Sequence, residues 1–282
     1  MKIVDFPEYK ILDLASGKKI ESWNSIILSR PDPQIIWNEK RDPKVWQTVN
    51  ATYERSKSGG GSWDKEVKPW QIHYKDLTFN LKLMGFKHTG LFPEQAFNWD
   101  LIRNKIKTNK NVKVLNLFAY TGGASVAALA AGAEVVHVDS SKGMIEWAKE
   151  NVKSSNLEDK PIRFLVDDVV KFVKREIRRG NKYDIIIMDP PSFGRGNSGE
   201  IWDIEKDLYN LVKDCVELLS DNPLMFIINS YTTGLSKIIM EDVLQITVGR
   251  KYKGKIESNE LCLPVEKSKI ILPCGVTTRW EA

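Results

Sequence analysis

The stretch Val112-Lys113-Val114-Leu115-Asn116-Leu117-Phe118-Ala119-Tyr120-Thr121-Gly122-Gly123-Ala124 decides how this chain is read. Residues 112–117 are apolar enough for a buried strand. The alanine-rich run 124–131 suits a helix, and Gly132 behind it suits the left-handed residue that ends one. Strand, glycine turn and helix in that order let a ligand approach the backbone closely at a helix N-terminus. A dinucleotide fold would want G-x-G-x-x-G here, so that amides cradle a pyrophosphate. Only two adjacent glycines are present, so a nicotinamide-dinucleotide reductase is disfavoured. Taken alone, the pair could be no more than a tight turn.

Working outward, the same alternation repeats. Strands are expected at 134–139, 162–166, 183–189 and 224–229, and helices at 143–154, 169–178 and 205–219. Met144, Ile145, Ala148 and Val152 share one face of the first of these helices. Tyr183-Asp184-Ile185-Ile186-Ile187-Met188-Asp189 is continuously apolar in its middle, as strands buried on both faces of a parallel sheet are. The expected fold is therefore α/β, a doubly wound, mostly parallel, seven-stranded sheet. A helix at 236–247 and two strands at 254–263 and 269–280 would close one sheet edge as a hairpin.

Upstream, residues 9–14 and 19–23 alternate around Ala15-Ser16-Gly17-Lys18, and residues 70–74 and 77–83 around Lys75-Asp76. Both pairs read as hairpins. Asp42-Pro43 reads as a helix start, with residues 44–56 helical, and residues 59–62 as a break. Two domains are expected: residues 1–85, small and β-rich, and residues 86–282. The tryptophans at 23, 37, 46, 63, 70 and 99 read first as core and only then as stacking platforms.

Composition sets outer bounds. Of 282 residues, 42% are hydrophobic and 28% charged, which favours a packed core over disorder. No apolar run approaches the roughly 18 residues of a bilayer span. The N-terminus lacks a signal-peptide pattern, so the cytoplasm is the expected location. Cysteines at 215, 262 and 274 and histidines at 73, 88 and 137 are scattered, so neither a disulfide framework nor a metal site is expected. The net charge of +5 is concentrated at 103–110 and 171–179. These runs read as solvated faces, with a phosphate-contacting surface as the sharper alternative.

Carboxylates stand at successive strand ends. Asp139 could accept two ribose hydroxyls, or it could cap the following helix, a task Ser140 or Ser141 can also perform. Of Asp167 and Asp168, the second is the candidate acceptor for an adenine amine and the first the candidate cap. Asp189-Pro190-Pro191-Ser192-Phe193 is the most specific motif. Prolines fix the backbone at a strand tip without starting a helix. The Asp189 carboxylate and the Pro190 carbonyl can accept both hydrogens of an aromatic amine, which localises its lone pair for attack. Phe193 could stack on the base.

Thr121-Gly122-Gly123, Val138-Asp139, Asp167-Asp168 and Asp189-Pro190-Pro191-Ser192-Phe193 together resemble class I S-adenosylmethionine methyltransferases. More closely, the chain is similar to the bacterial 23S ribosomal-RNA large-subunit methyltransferase family, in a short form without the PUA domain. Gly90-Leu91-Phe92-Pro93-Glu94-Gln95 is similar to that family's G-x-F-x-D-Q-R segment, although Ala96 stands where the family has Arg. The resemblance implies S-adenosylmethionine as cofactor and no metal. It implies cofactor contacts from Phe92, Gln95, Phe118, Ala119, Tyr120, Thr121, Gly122, Asp139, Ser140, Asp168, Val169 and Asp189, with Asp189, Pro190, Pro191 and Phe193 at the reaction. It also implies an RNA substrate, ribosomal RNA first. The cytosine-C5 members attack with a cysteine, and Ser230 occupies that position here. Serine is a far weaker nucleophile, so a base nitrogen is the expected acceptor. Methylation of a protein or small molecule, or RNA binding without catalysis, are the alternatives.

Overall fold

The computed structural model describes residues 1–56, 60–196, 199–231 and 234–282. Eight strands come first: β1 (Lys2–Ile3), β2 (Tyr9–Ala15), β3 (Lys18–Trp23), β4 (Ile26–Pro31), β5 (Ala51–Arg55), β6 (Gly61–Trp63), β7 (Trp70–Tyr74) and β8 (Leu77–Leu81). Then follow α1 (Ala96–Lys107), β9 (Lys113–Leu117), α2 (Gly123–Ala130), β10 (Glu134–Asp139), α3 (Lys142–Ser154), β11 (Ile162–Val166), α4 (Val169–Arg179) and β12 (Ile185–Met188). The chain ends with β13 (Phe193–Arg195), β14 (Ile201–Asp203), α5 (Ile204–Val216), β15 (Met225–Ser230), α6 (Lys237–Ile246), α7 (Val248–Lys251), β16 (Lys255–Pro264) and β17 (Ile271–Glu281). Contacts divide the chain into two compact units, residues 3–96 with 262–273, and residues 97–261 with 1–2 and 274–282. By contacts, residues 86–96 and the tip of the late hairpin group with the β-rich residues.

In the β-rich unit, β2 to β6 form one sheet in chain order and β7 and β8 a separate hairpin. The turns at Ser16-Gly17 and Lys75 carry positive φ (51°, 71° and 55°), the geometry that two-residue hairpin loops require. The helix expected over 44–56 is not formed. Only a 3-10 turn at Val45–Gln47 precedes β5, where Thr52 and Tyr53 gain ladder partners from β4 and β6. Of the expected break at 59–62, Gly59 lies outside the described residues and Gly61–Trp63 is strand.

In the second unit the large sheet runs β1-β16-β17-β15-β12-β9-β10-β11. The two-residue β1 makes it eight-stranded rather than seven. Strands β15, β12, β9, β10 and β11 are parallel neighbours, and β17 is antiparallel to β15. The chain winds from β9 out to β11, then returns to place β12 on the other side of β9. That reversal is a topological switch point, and doubly wound sheets place ligands at the carboxyl ends of the strands beside it, here β9 and β12. One face packs Leu115, Leu117, Val138, Ile186, Met188, Phe226 and Ile228 against Phe172, Leu208, Val212 and Leu244 from α4, α5 and α6. Each such fully buried side chain contributes about 1.5–3 kcal/mol. Val114, Ile185, Ile187 and Ile227 on the opposite face are buried too, which is why these strands read as continuous apolar runs.

Candidate active site

Backbone hydrogen bonds string the strand tips together. Asp189 N–H donates to Leu117 O at 3.4 Å, Ala119 N–H to Val138 O at 3.0 Å, and Asp167 N–H to Asp139 O at 3.0 Å. The ends of β12, β9, β10 and β11 therefore form one continuous rim.

The turn after β9 is bent hard. Phe118 and Tyr120 hold φ of 53° and 50°, and Gly122 holds 86°. Left-handed geometry costs a non-glycine residue about 1–2 kcal/mol, and such strain persists only where neighbours enforce it. The enforcing groups are identifiable. Tyr120 N–H donates to Asp139 Oδ2 at 2.9 Å, and Asn151 Nδ2 from α3 donates to Thr121 O at 2.8 Å. The two glycines do different work. A Cβ on Gly122 would sit 3.1 Å from Ala148 Cβ in a backbone shape that other residues rarely adopt, whereas one on Gly123 would lie 2.7 Å from the Trp99 ring. Gly122 makes the turn and Gly123 admits α1 alongside it.

Beneath the turn, Asn116 Nδ2 donates to Ser125 Oγ, which pairs with His137 Nδ1, both at 2.9 Å. Burial drives the His137 pKa down to about 3, against a smaller upward pull from the Tyr120 backbone, so the imidazole is neutral. Asn151, Ser125 and His137 were not singled out from sequence. Ser125 and His137 stand out as polar residues among the apolar ones of α2 and β10, whereas Asn151 sits among the charged residues of α3 and carries no such signal.

Asp139 binds backbone on both sides, since Ser141 N–H donates to Oδ1 at 2.9 Å. Burial pushes its pKa above the usual value, and the two amides pull it back. Each oxygen keeps a second lone pair free to accept a further hydrogen bond. Ser141 caps α3 through Met144 N–H, and Ser140 is half-buried beside it.

The expected assignment of the acidic pair is partly reversed. Asp168 is the N-cap of α4, its Oδ1 accepting from Lys171 N–H at 2.8 Å, whereas Asp167 is held by Arg175. The extended backbone of Asp168 (φ −68°, ψ 127°) selects it for the cap. Its Oδ2 has no partner among the described residues and remains open to an amine. The Val169 side chain is buried in the core cluster, leaving only its backbone for a ligand.

The Asp189 corner is built differently. The carboxylate is half-buried, has no hydrogen bond or ion pair among the described residues, and is pushed by burial up to about 6. Pro190 is buried and Pro191 exposed. The Pro191 carbonyl accepts from Trp202 Nε1 at 2.7 Å, and the Trp202 ring packs on Phe118 with centroids 5.1 Å apart. Trp202 thus locks the Asp-Pro-Pro corner to the bent turn. Phe193 is 57% exposed.

A turn whose amides face a strand-tip carboxylate, with no glycine-rich phosphate cradle, fits a nucleoside that carries no phosphate. A family model for S-adenosylmethionine-dependent methyltransferases matches residues 51–259. The chain belongs to that family. This methyltransferase is 33% identical over 186 residues to the ribosomal RNA large subunit methyltransferase K/L of Shewanella sp. (strain MR-4), covering 62% of this chain and 26% of the relative. The corresponding protein of Pseudoalteromonas atlantica is 30% identical over 210 residues, covering 71% and 29%. The chain thus spans about a quarter of the length of these curated relatives. The crystal structure of a SAM-dependent methyltransferase from Agrobacterium tumefaciens superposes with a TM-score of 0.92 at 35% identity, covering 99% of this chain and 91% of that one. S-adenosylmethionine is the cofactor, and it supplies an electrophilic methyl on a sulfonium.

Phe118, Ala119, Tyr120, Thr121, Gly122, Asp139, Ser140, Asp168 and Asp189 are brought to one rim. Phe92 and Gln95 belong to the β-rich unit, where the Phe92 ring meets His88 at 5.3 Å and Gln95 N–H donates to Phe92 O at 3.0 Å. Among the described residues no group of His, Cys, Asp and Glu could hold a metal, and no helix is long and apolar enough to cross a membrane.

Proposed function

We propose that this methyltransferase modifies a base nitrogen in RNA, with ribosomal RNA the favoured substrate. The observation that carries the reading is the unpartnered Asp189 carboxylate at a corner made rigid by two prolines and Trp202. That carboxylate and the Pro190 carbonyl, which accepts no hydrogen bond among the described residues, can take the two hydrogens of a base amine. Asp189 then accepts the proton the nitrogen releases, a role suited to an acid poised near pH 6. The rest of the site positions the two partners, and orientation supplies most of the acceleration.

Covalent attack on a cytosine is poorly served. Ser230 is buried, and so are Cys215, Cys262 and Cys274, with burial pushing the Cys215 thiol far up. RNA is favoured by the rRNA methyltransferase names of the relatives and by the exposed Phe193. An RNA substrate agrees with the cytoplasmic location expected from the sequence. The test is transfer of labelled methyl to fractionated cellular RNA and protein, followed by mass spectrometry of nucleosides and peptides. An N-methylated nucleoside is expected. Label in protein, or in 5-methylcytosine, overturns the reading.

A further inference from the structure

The β13–β14 hairpin follows directly from the Asp-Pro-Pro corner, and its two faces differ. Register pairs Phe193 with Asp203, Gly194 with Trp202 and Arg195 with Ile201. Side chains alternate across a strand, so Gly194 and Trp202 share the inner face and Phe193, Arg195, Ile201 and Asp203 the outer one. The inner face is fixed, because Trp202 is in the core and donates to the Pro191 carbonyl. The far end is tied as well. Gly196 N–H donates to Glu200 O at 2.8 Å, and Glu200 pairs with Lys171 of α4.

The outer face is uncovered. Phe193 is 57% and Ile201 62% exposed, and Arg195 is exposed with no ion pair or hydrogen bond among the described residues. The one acid on this face, Asp203, is already engaged by Lys206 at 2.7 Å and by the α5 amide of Glu205 at 3.2 Å. An aromatic, an aliphatic and a free guanidinium lie on one face of the ribbon, with Phe193 and Arg195 about 7 Å apart along the strand. This is about the span of a nucleotide from base to phosphate. Single-stranded nucleic acid is gripped by such pairings of stacking surface and cation.

Building on the RNA reading above, we propose that the outer face of this hairpin is the platform for the RNA strand entering the active site. Arg195 takes a backbone phosphate and Ile201 supports the nucleotide beside the target. The positive charge suits a polyanion, and the surface is continuous with the reacting corner, so the occupant is single-stranded RNA.

The test compares wild type with Arg195→Gln, Arg195→Lys and Ile201→Ser. Binding of a short single-stranded RNA is measured by fluorescence anisotropy from about 50 to about 200 mM salt. S-adenosylhomocysteine binding is measured by calorimetry. Arg195→Gln is expected to weaken RNA binding about three- to tenfold at low salt and to flatten the log–log salt slope by about 0.7, one phosphate on a single strand. Arg195→Lys should restore the slope. Ile201→Ser should weaken binding about threefold with the slope unchanged, by loss of an apolar contact alone. Cofactor binding should be unaltered in all three. If wild type binds RNA in a salt-dependent way and the variants bind identically, the platform is wrong while the RNA reading stands. If Arg195→Gln also loses cofactor affinity, the residue acts through the fold and the platform is overturned. If wild type shows no salt-dependent RNA binding and methylates protein, both readings fall together.

Discussion

Two aspartates end neighbouring parts of the same sheet, and the protein treats them oppositely. Asp139 closes β10 with each oxygen bound by a backbone amide, Tyr120 on one side and Ser141 on the other. Asp189 follows β12 with neither oxygen engaged among the described residues, and burial leaves it with a pKa of about 6. One acid is built into the frame, bracing a turn in which Phe118 and Tyr120 hold left-handed geometry. The other is held ready by a frame that offers it nothing. A carboxylate whose lone pairs are partly spent on amides positions a ligand; a desolvated and unpartnered one is suited to take a proton.

The contrast breaks most sharply at Asp189. Asp189→Ala is expected to lower kcat by about 10²–10³ or more, the usual loss when a preorganised polar group is removed from a reacting centre. Cofactor affinity measured by calorimetry should stay within a few-fold of wild type. A comparable loss of both would make Asp189 a framing residue like Asp139. The same carboxylate leaves a signature in stability. Its folded pKa stands above the unfolded value, so the fold binds the proton more tightly and loses stability as pH rises from about 4 to about 6. Asp189→Asn should therefore raise stability above pH 6 by on the order of 1–3 kcal/mol, read by denaturant titration, while abolishing turnover.

At Asp139 the expected loss falls on binding. Asp139→Ala should weaken S-adenosylmethionine binding by one to two orders of magnitude, because it removes a charge-assisted pair and the brace on Tyr120 together. Unchanged affinity would remove Asp139 from the cofactor site. Its effect on kcat at saturating cofactor should be much smaller than that of Asp189→Ala, and this crossing of the two variants sharpens the comparison. A pH profile separates them further. The kcat/KM of wild type should fall about tenfold per unit below pH 6, as Asp189 becomes protonated and loses its acceptor capacity. A profile flat down to pH 5 would deny Asp189 its role as base.

Much of this contrast could be anticipated from sequence, and the missing part has a physical cause. The parallel strands were legible because burial on both faces leaves unbroken apolar runs such as Ile185–Met188. The acids at their ends were legible as types in sequence order. What each acid touches was not, because the amide of Tyr120 reaches Asp139 across 19 residues. The cap falls on Asp168 rather than Asp167 for a similar reason: it is chosen by backbone angles, and Asp167 is taken by Arg175 from within α4. The β13–β14 hairpin carries no sequence signal because its strands are three residues long, too short for a period to register. Helix α1 was hidden by its basic residues, although Trp99, Ile102 and Ile106 recur at helical spacing and are all buried.

The smallest effect is expected where the fold places a hydroxyl beside the reacting corner without exposing it. Ser230 ends β15, in the strand paired with β12, and it is buried with no hydrogen-bond partner for its Oγ among the described residues. A nucleophile needs both access and a base within hydrogen-bond reach, and among the described residues this hydroxyl has neither. Ser230→Ala should therefore leave kcat and KM within about twofold of wild type. Removing an unsatisfied buried hydroxyl should leave stability unchanged or slightly raised, since its desolvation cost disappears with it. A dead but folded Ser230→Ala enzyme would instead place Ser230 in the chemistry and reopen covalent attack on a pyrimidine.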